Sequence, residues 1–124
     1  MTNIKQHILN RAIDEAKKSQ HSARMGAVIF NKSRIISVGH NFKGSRRKLH
    51  PRFTRYQDSI HAEVGAILNA RTDLSGCSIL VVRINKEEQL RLAKPCQKCK
   101  MYLDYVGIKN IYYSTSNPFI EKEK

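Results

Sequence analysis

The sequence predicts an α/β protein in which helices pack on one mixed β-sheet, in the order α-β-β-α-β-α-β. Three observations carry this expectation. The N-terminal segment repeats apolar residues at helical spacing. Two β-branched runs are joined by turn residues. A nearly continuous apolar run, Ile79 to Val82, lies between two helix-like segments.

The elements follow in chain order. From Thr2 to about Lys18, Ile4, Ile8, Ala12 and Ala16 share one face, flanked by Leu9 and Ile13, which predicts an amphipathic helix with Thr2 or Asn3 as N-cap. Gly26 to Phe30 and Ile35 to Gly39, separated by Asn31 to Arg34, read as a β-hairpin. Gly39 to Ser59 reads as a long basic loop, of a length usually reserved for function or disorder. Ile60, Val64, Ile67 and Leu68 fit a buried helix ending near Ala70. Cys77 to Ile84 reads as an inner strand covered on both faces. Asn85 to Lys94 is charged and is expected to be a loop or short helix. Pro95 then opens a third helix, where its missing N–H costs nothing, and Gly107 is its expected C′ residue. Ile108 to Ser114 is the last predicted strand, followed by a tail that is expected to fray or dock late.

At 124 residues the chain suits a single domain, 1–124, able to bury roughly two thirds of its unfolded surface. No apolar run approaches the ~20 residues of a membrane span and no signal-peptide core is present, so a soluble, cytoplasmic protein with no membrane partner is expected. Charge is the abnormal feature. Twenty-three Lys and Arg against ten Asp and Glu leave +13, which points to phosphorylated or polyanionic partners. The densest acid-free stretch holds Lys43, Arg46, Arg47, Lys48, Arg52 and Arg55, interleaved with Phe42, Phe53 and Tyr56. That composition suits a nucleotide phosphate or a single-stranded nucleic acid, and equally a solvated loop.

Three cysteines, two of them spaced Cys96-Gln-Lys-Cys99, favour metal or redox chemistry over a disulfide framework. In the first turn of a helix both sulfurs lie on one side. With His61 from the head of the preceding helix they form an N1S2 set, three ligands of zinc's preferred four. The fourth place is left to water, as in a catalytic site rather than a closed structural one. Glu63, two residues from His61, can reach that water without being a ligand and can carry a proton. Cys77 is a conceivable fourth ligand for a structural zinc, but at the start of an apolar strand it reads as a small core residue.

His61-Ala-Glu63 followed by Pro95-Cys96-x-x-Cys99 resembles the signature of the zinc nucleobase deaminases. The resemblance extends through Gly26-Ala-Val28, Gly39-His-Asn41 and Val106-Gly-Ile108, and it is similar to the CMP/dCMP-type branch that includes deoxycytidylate and tRNA adenosine deaminases. It implies a three-layer α-β-α cytidine deaminase-like sandwich with one catalytic zinc ion on His61, Cys96 and Cys99, and Glu63 as proton shuttle. Water would attack C4 of cytosine, or C6 of adenine, with loss of ammonia. Asn41 would contact the sugar or its phosphate, the backbone around Ala62 the base edge, and His40 and Arg55 are further candidate substrate contacts. The leading expectation is a cytosine deaminase acting on a (deoxy)cytidine nucleotide such as dCMP. Deamination of cytosine or adenine in single-stranded DNA, RNA or tRNA is the alternative, and a non-catalytic zinc module that binds nucleic acid is the third. The chain departs from the family pattern at His40, in the charged segment Arg83 to Lys94, and in stopping soon after Ser114. A homo-oligomer in which a neighbour helps to close the pocket is therefore expected.

Overall fold

A computed structural model gives the fold, and it describes residues 4–19, 24–43, 59–60, 62–70, 72–94, 97–116 and 120–122. Helix α1 (Gln6–Lys17) begins after Lys5, whose side chain caps nothing; the expected caps Thr2 and Asn3 lie outside the described residues. Strands β1 (Arg24–Asn31) and β2 (Arg34–His40) form the expected antiparallel hairpin, with Gly26 opposite His40 and Asn31 opposite Arg34. Lys32 takes the left-handed conformation the turn needs, at φ 58°. Two short strands follow, β3 (Phe42–Lys43) and β4 (Ser59–Ile60), paired antiparallel, so the base of the long basic segment is tied off. Its interior, 44–58, lies outside the described residues and with it the expected basic contacts from Arg46 to Arg55.

Helix α2 (Ala62–Asn69) leads to β5 (Ser78–Ile84), which pairs antiparallel with β1. The segment after β5 corrects the sequence reading, since it is neither loop nor helix throughout. Asn85 Oδ1 accepts the N–H groups of Glu87 and Gln89, and this turn returns the chain as β6 (Leu90–Arg91), antiparallel to β5. Helix α3 (Gln97–Tyr105) ends as expected at Gly107, φ +89°. The N–H groups of Gly107 and Ile108 bond to the carbonyls of Asp104 and Leu103, the paired bonds of a Schellman stop. Strand β7 (Asn110–Ser114) runs parallel to β5. The tail is a second correction: β8 (Ile120–Lys122) pairs antiparallel with β7, so the chain does carry a further strand after Ser114.

Among the described residues the main sheet has six strands in the order β2-β1-β5-β7-β8, with β6 also on β5. Alternation along the strands divides the core in two. Val28, Phe30, Leu80, Val82 and Ile84 face α1 through Ile8, Ala12 and Ala16. Ala27, Ile29, Ile79 and Val81 face α2 and α3 through Ala62, Val64, Ala66, Ile67, Tyr102 and Leu103. The expected three-layer mixed sandwich is therefore present, with four short strands beyond the predicted order. No helix among the described residues is long and apolar enough to cross a membrane.

Candidate functional site

Chain connections place the heads of α2 and α3 at one end of the sheet. Both helices finish beside the start of β5: the Gly76 N–H bonds to the Gly107 carbonyl, and Lys109 N–H to Cys77 carbonyl. Each helix must therefore begin at the opposite end, outside the carboxyl end of β5. In α/β sheets this is where ligands collect.

Gly39 fixes the head of α2 against β2. A Cβ there would collide with the Ala66 N–H and lie 2.8 Å from the Ala62 carbonyl oxygen, so only glycine lets the helix approach this closely. The contact buries Ala62 completely and Glu63 to 2% exposure in the first turn. An acid in that turn lies where the positive end of the helix dipole favours a carboxylate. Cys99, the third residue of α3, is equally buried. His61, Cys96 and Arg55 lie outside the described residues, and among the described residues no three metal-ligating groups cluster. Of the three expected ligands only Cys99 is described; it is buried at the head of one helix, at the same end of the sheet as the buried Glu63 carboxylate at the head of another.

Asn41 follows β2 at that same end and is buried. Its Oδ1 accepts from the Met25 backbone N–H at 2.9 Å and from the Ser19 hydroxyl at 2.6 Å, while Ser19 Oγ also lies 2.8 Å from the Asn41 carbonyl oxygen. A backbone N–H can only donate, so the atom facing Met25 must be the oxygen, and the carboxamide orientation is fixed by chemistry. Phe42, next in the chain, pairs with Ile60, two residues before α2 begins. Asn41 is thereby tied to the approach to that helix.

His40 is placed differently. Since Gly39 faces α2, its neighbour faces α1, and His40 Nδ1 lies 3.4 Å from Glu15 Oε1. The geometry makes it a brace between β2 and α1. Glu15 itself was not singled out in the sequence, although it is one of the buried polar residues. Burial raises its carboxyl pKa. Hydrogen bonds from Lys18 and His40, with the charges of Lys18 and Arg11, outweigh this and hold it below the usual carboxylate value. Lys18 Nζ sits 2.7 Å away and Arg11 3.6 Å away. The signal was available: Arg11 and Lys18 stand four before and three after Glu15, on a helix whose apolar face adjoins it. Ser19, the partner of Asn41, left no comparable signal. Cys77 is buried in the core at the far end of β5 from the helix heads, in keeping with its reading as a core residue.

The family model for the cytidine and deoxycytidylate deaminase zinc-binding region matches residues 2–115. The chain belongs to this family. A curated relative, the "uncharacterized deaminase in luxG 3′ region" of Aliivibrio fischeri, is 34% identical over 95 residues, covering 73% of this chain and 58% of its own length. The chain thus spans a little over half of that relative. Among solved structures, cytidine deaminase from Burkholderia pseudomallei superposes with a TM-score of 0.68 at 14% identity, over 98% of this chain and 93% of that one. The dCMP deaminase of cyanophage S-TIM5 in apo form gives 0.59 at 18% identity, over 90% and 86%. At these identities the likeness is one of fold, and it includes the three-layer core of this deaminase-family chain.

Proposed function

We propose that this chain is a zinc-dependent hydrolytic deaminase of a cytosine base, acting on a (deoxy)cytidine nucleotide such as dCMP. The observation that carries the reading is the buried Glu63 in the first turn of α2, at the same end of the sheet as Cys99 in the first turn of α3 and the fixed carboxamide of Asn41. Family membership and relatives that include a dCMP deaminase and a cytidine deaminase support it.

His61, Cys96 and Cys99 would hold a single zinc ion, which when bound makes water available as a nucleophile at neutral pH. Glu63 takes one proton from the attacking water and delivers it to the ring nitrogen, then takes the second from the newly formed hydroxyl and delivers it to the amine, which departs as ammonia, a relay suited to a carboxylate that burial keeps from bulk water. Asn41, with its oxygen held by Ser19 and Met25, would contact the sugar or its phosphate. The Ala62 backbone meets the base edge. Arg55 and its basic neighbours would grip the 5′ phosphate, while His40 serves through its brace to Glu15. A cytoplasmic homo-oligomer belongs to the same reading.

The test is a substrate panel. Purified, zinc-loaded protein is incubated with dCMP, cytidine, single-stranded DNA and tRNA, and ammonia release is followed. Turnover of dCMP that stops on chelation and returns with zinc is the expected result. Turnover of the nucleic acids alone would replace this reading with strand deamination, and zinc binding without turnover would leave a binding module.

A further inference from the structure

The charged segment after β5 has no place in the chemistry above, yet it builds a defined cleft. Arg83 on β5 and Arg91 on β6 are direct cross-strand partners. Partners in that register point to the same face, and like charges so placed are destabilising unless something negative lies between them. None of Arg83, Lys86 and Arg91 forms an ion pair among the described residues; Arg91 meets only the neutral Leu90 carbonyl and Gln89 side chain. The three cations line a cleft of about 290 Å³ together with Leu92 and Ser116, and among the described residues no acid lines it.

The two arginines are also held at a set separation. Ser114, completely buried, accepts the Arg83 backbone N–H at 3.1 Å and donates its hydroxyl to the Arg91 carbonyl at 2.6 Å. Its own carbonyl accepts from the Ala93 N–H at 3.0 Å. One side chain thus clamps both strands beneath the paired guanidinium groups, so the cost of confining like charges is built into the backbone rather than left to mobile side chains.

We propose that this cleft is a phosphate-binding site, distinct from the metal-holding residues. Guanidinium groups present forked donors that match phosphate oxygens, and a single phosphate between Arg83 and Arg91 would relieve their repulsion. The cleft's volume is at the small end for ligand sites, suited to a phosphate with part of its sugar. Its position connects it to the proposed site. Asn41 bonds to Met25, Met25 is the register partner of Arg83, and Arg83 of Arg91. That is three strand steps of about 4.8 Å, or ~14 Å along the site end of the sheet. The phosphate can come from a mononucleotide reaching out of the pocket or from a neighbouring nucleotide of a strand.

Binding, not deamination, is the readout, so failure here leaves the deaminase reading standing. Wild type, the double variant Arg83→Gln/Arg91→Gln, and a control of equal charge loss at the other end of the sheet, Arg34→Gln/Lys109→Gln, are titrated with inorganic pyrophosphate, dCMP and a fluorescein-labelled short oligo-dT. The cleft variant is expected to lose saturable pyrophosphate binding while the control keeps it. A weakened dCMP affinity assigns the mononucleotide source. Unchanged dCMP affinity, with an oligo-dT salt slope shallower by about 0.7 for the one lost phosphate, assigns the strand. Equal behaviour of the cleft variant and wild type with all three probes, or equal losses in the control, would overturn the proposal.

Discussion

Glu15 and Glu63 are both buried carboxylates on helices that flank the same β-hairpin, and their surroundings set them apart. Glu15, on α1, is braced by Lys18, Arg11 and His40, and these neighbours hold its carboxyl ionised despite burial. Glu63, on the opposite face, lies in the first turn of α2 between Ala62 and Val64, at the end of the sheet where the third helix also begins. Burial alone therefore does not mark a catalytic acid. What separates the two is the place in the fold: one ties a helix to a strand, and the other stands at the head of a helix at the same end of the sheet as Cys99.

Each helix also rests on a glycine of that hairpin, and the pair gives the largest expected effects. A Cβ at Gly26 would collide with the Ala12 carbonyl and Ala16 N–H of α1; one at Gly39 would collide with α2. Gly26→Ala and Gly39→Ala should each cost roughly 3 kcal/mol, on the order of 10 °C in Tm by thermal denaturation. Only Gly39→Ala displaces Glu63, so in the cold, with both variants folded, its kcat should fall while that of Gly26→Ala stays near wild type. Equal kcat values in the two would erase the functional distinction between the faces.

A smaller effect is expected from Glu15→Gln, about 1 kcal/mol at pH 7, because Arg11 and Lys18 are half exposed and solvent screens them. The folded carboxyl titrates below its usual value of 4.5, so its contribution is complete above that pH and is lost as pH falls through the folded pKa. Denaturant titrations should therefore show the gap between wild type and Glu15→Gln closing below pH 4.5. A gap that widened on acidification would reverse the assignment of Glu15 as an ionised brace.

Legibility followed the length and locality of each signal. The hairpin, the buried run of β5, helix α2 and the stop at Gly107 could be read because periodicity or a turn residue declares them within a few positions. Strands β3, β4, β6 and β8 could not be read, since two or three residues hold no period and their pairing depends on distant partners. The same reason hid Ser19 and Ser114: each acts through hydrogen bonds to residues more than twenty positions away. The motif residues His61, Glu63, Cys96 and Cys99 stand out in the sequence because the deaminase signature restricts residue type and spacing together, while the structure describes only Glu63 and Cys99 of the four. Arg83 and Arg91 carry no signal in the sequence beyond their charge, and only the register sets them side by side.

The most direct measurement of the central claim compares Glu63→Gln with Glu15→Gln in one experiment, reading zinc content, Tm and dCMP turnover. Glu63→Gln should keep about one zinc per chain and a near wild-type Tm while its kcat falls by roughly 10² to 10⁴. Glu15→Gln should keep its kcat. Wild-type turnover by Glu63→Gln, or matched losses of kcat in the two variants, would contradict the assignment of Glu63 as the proton carrier.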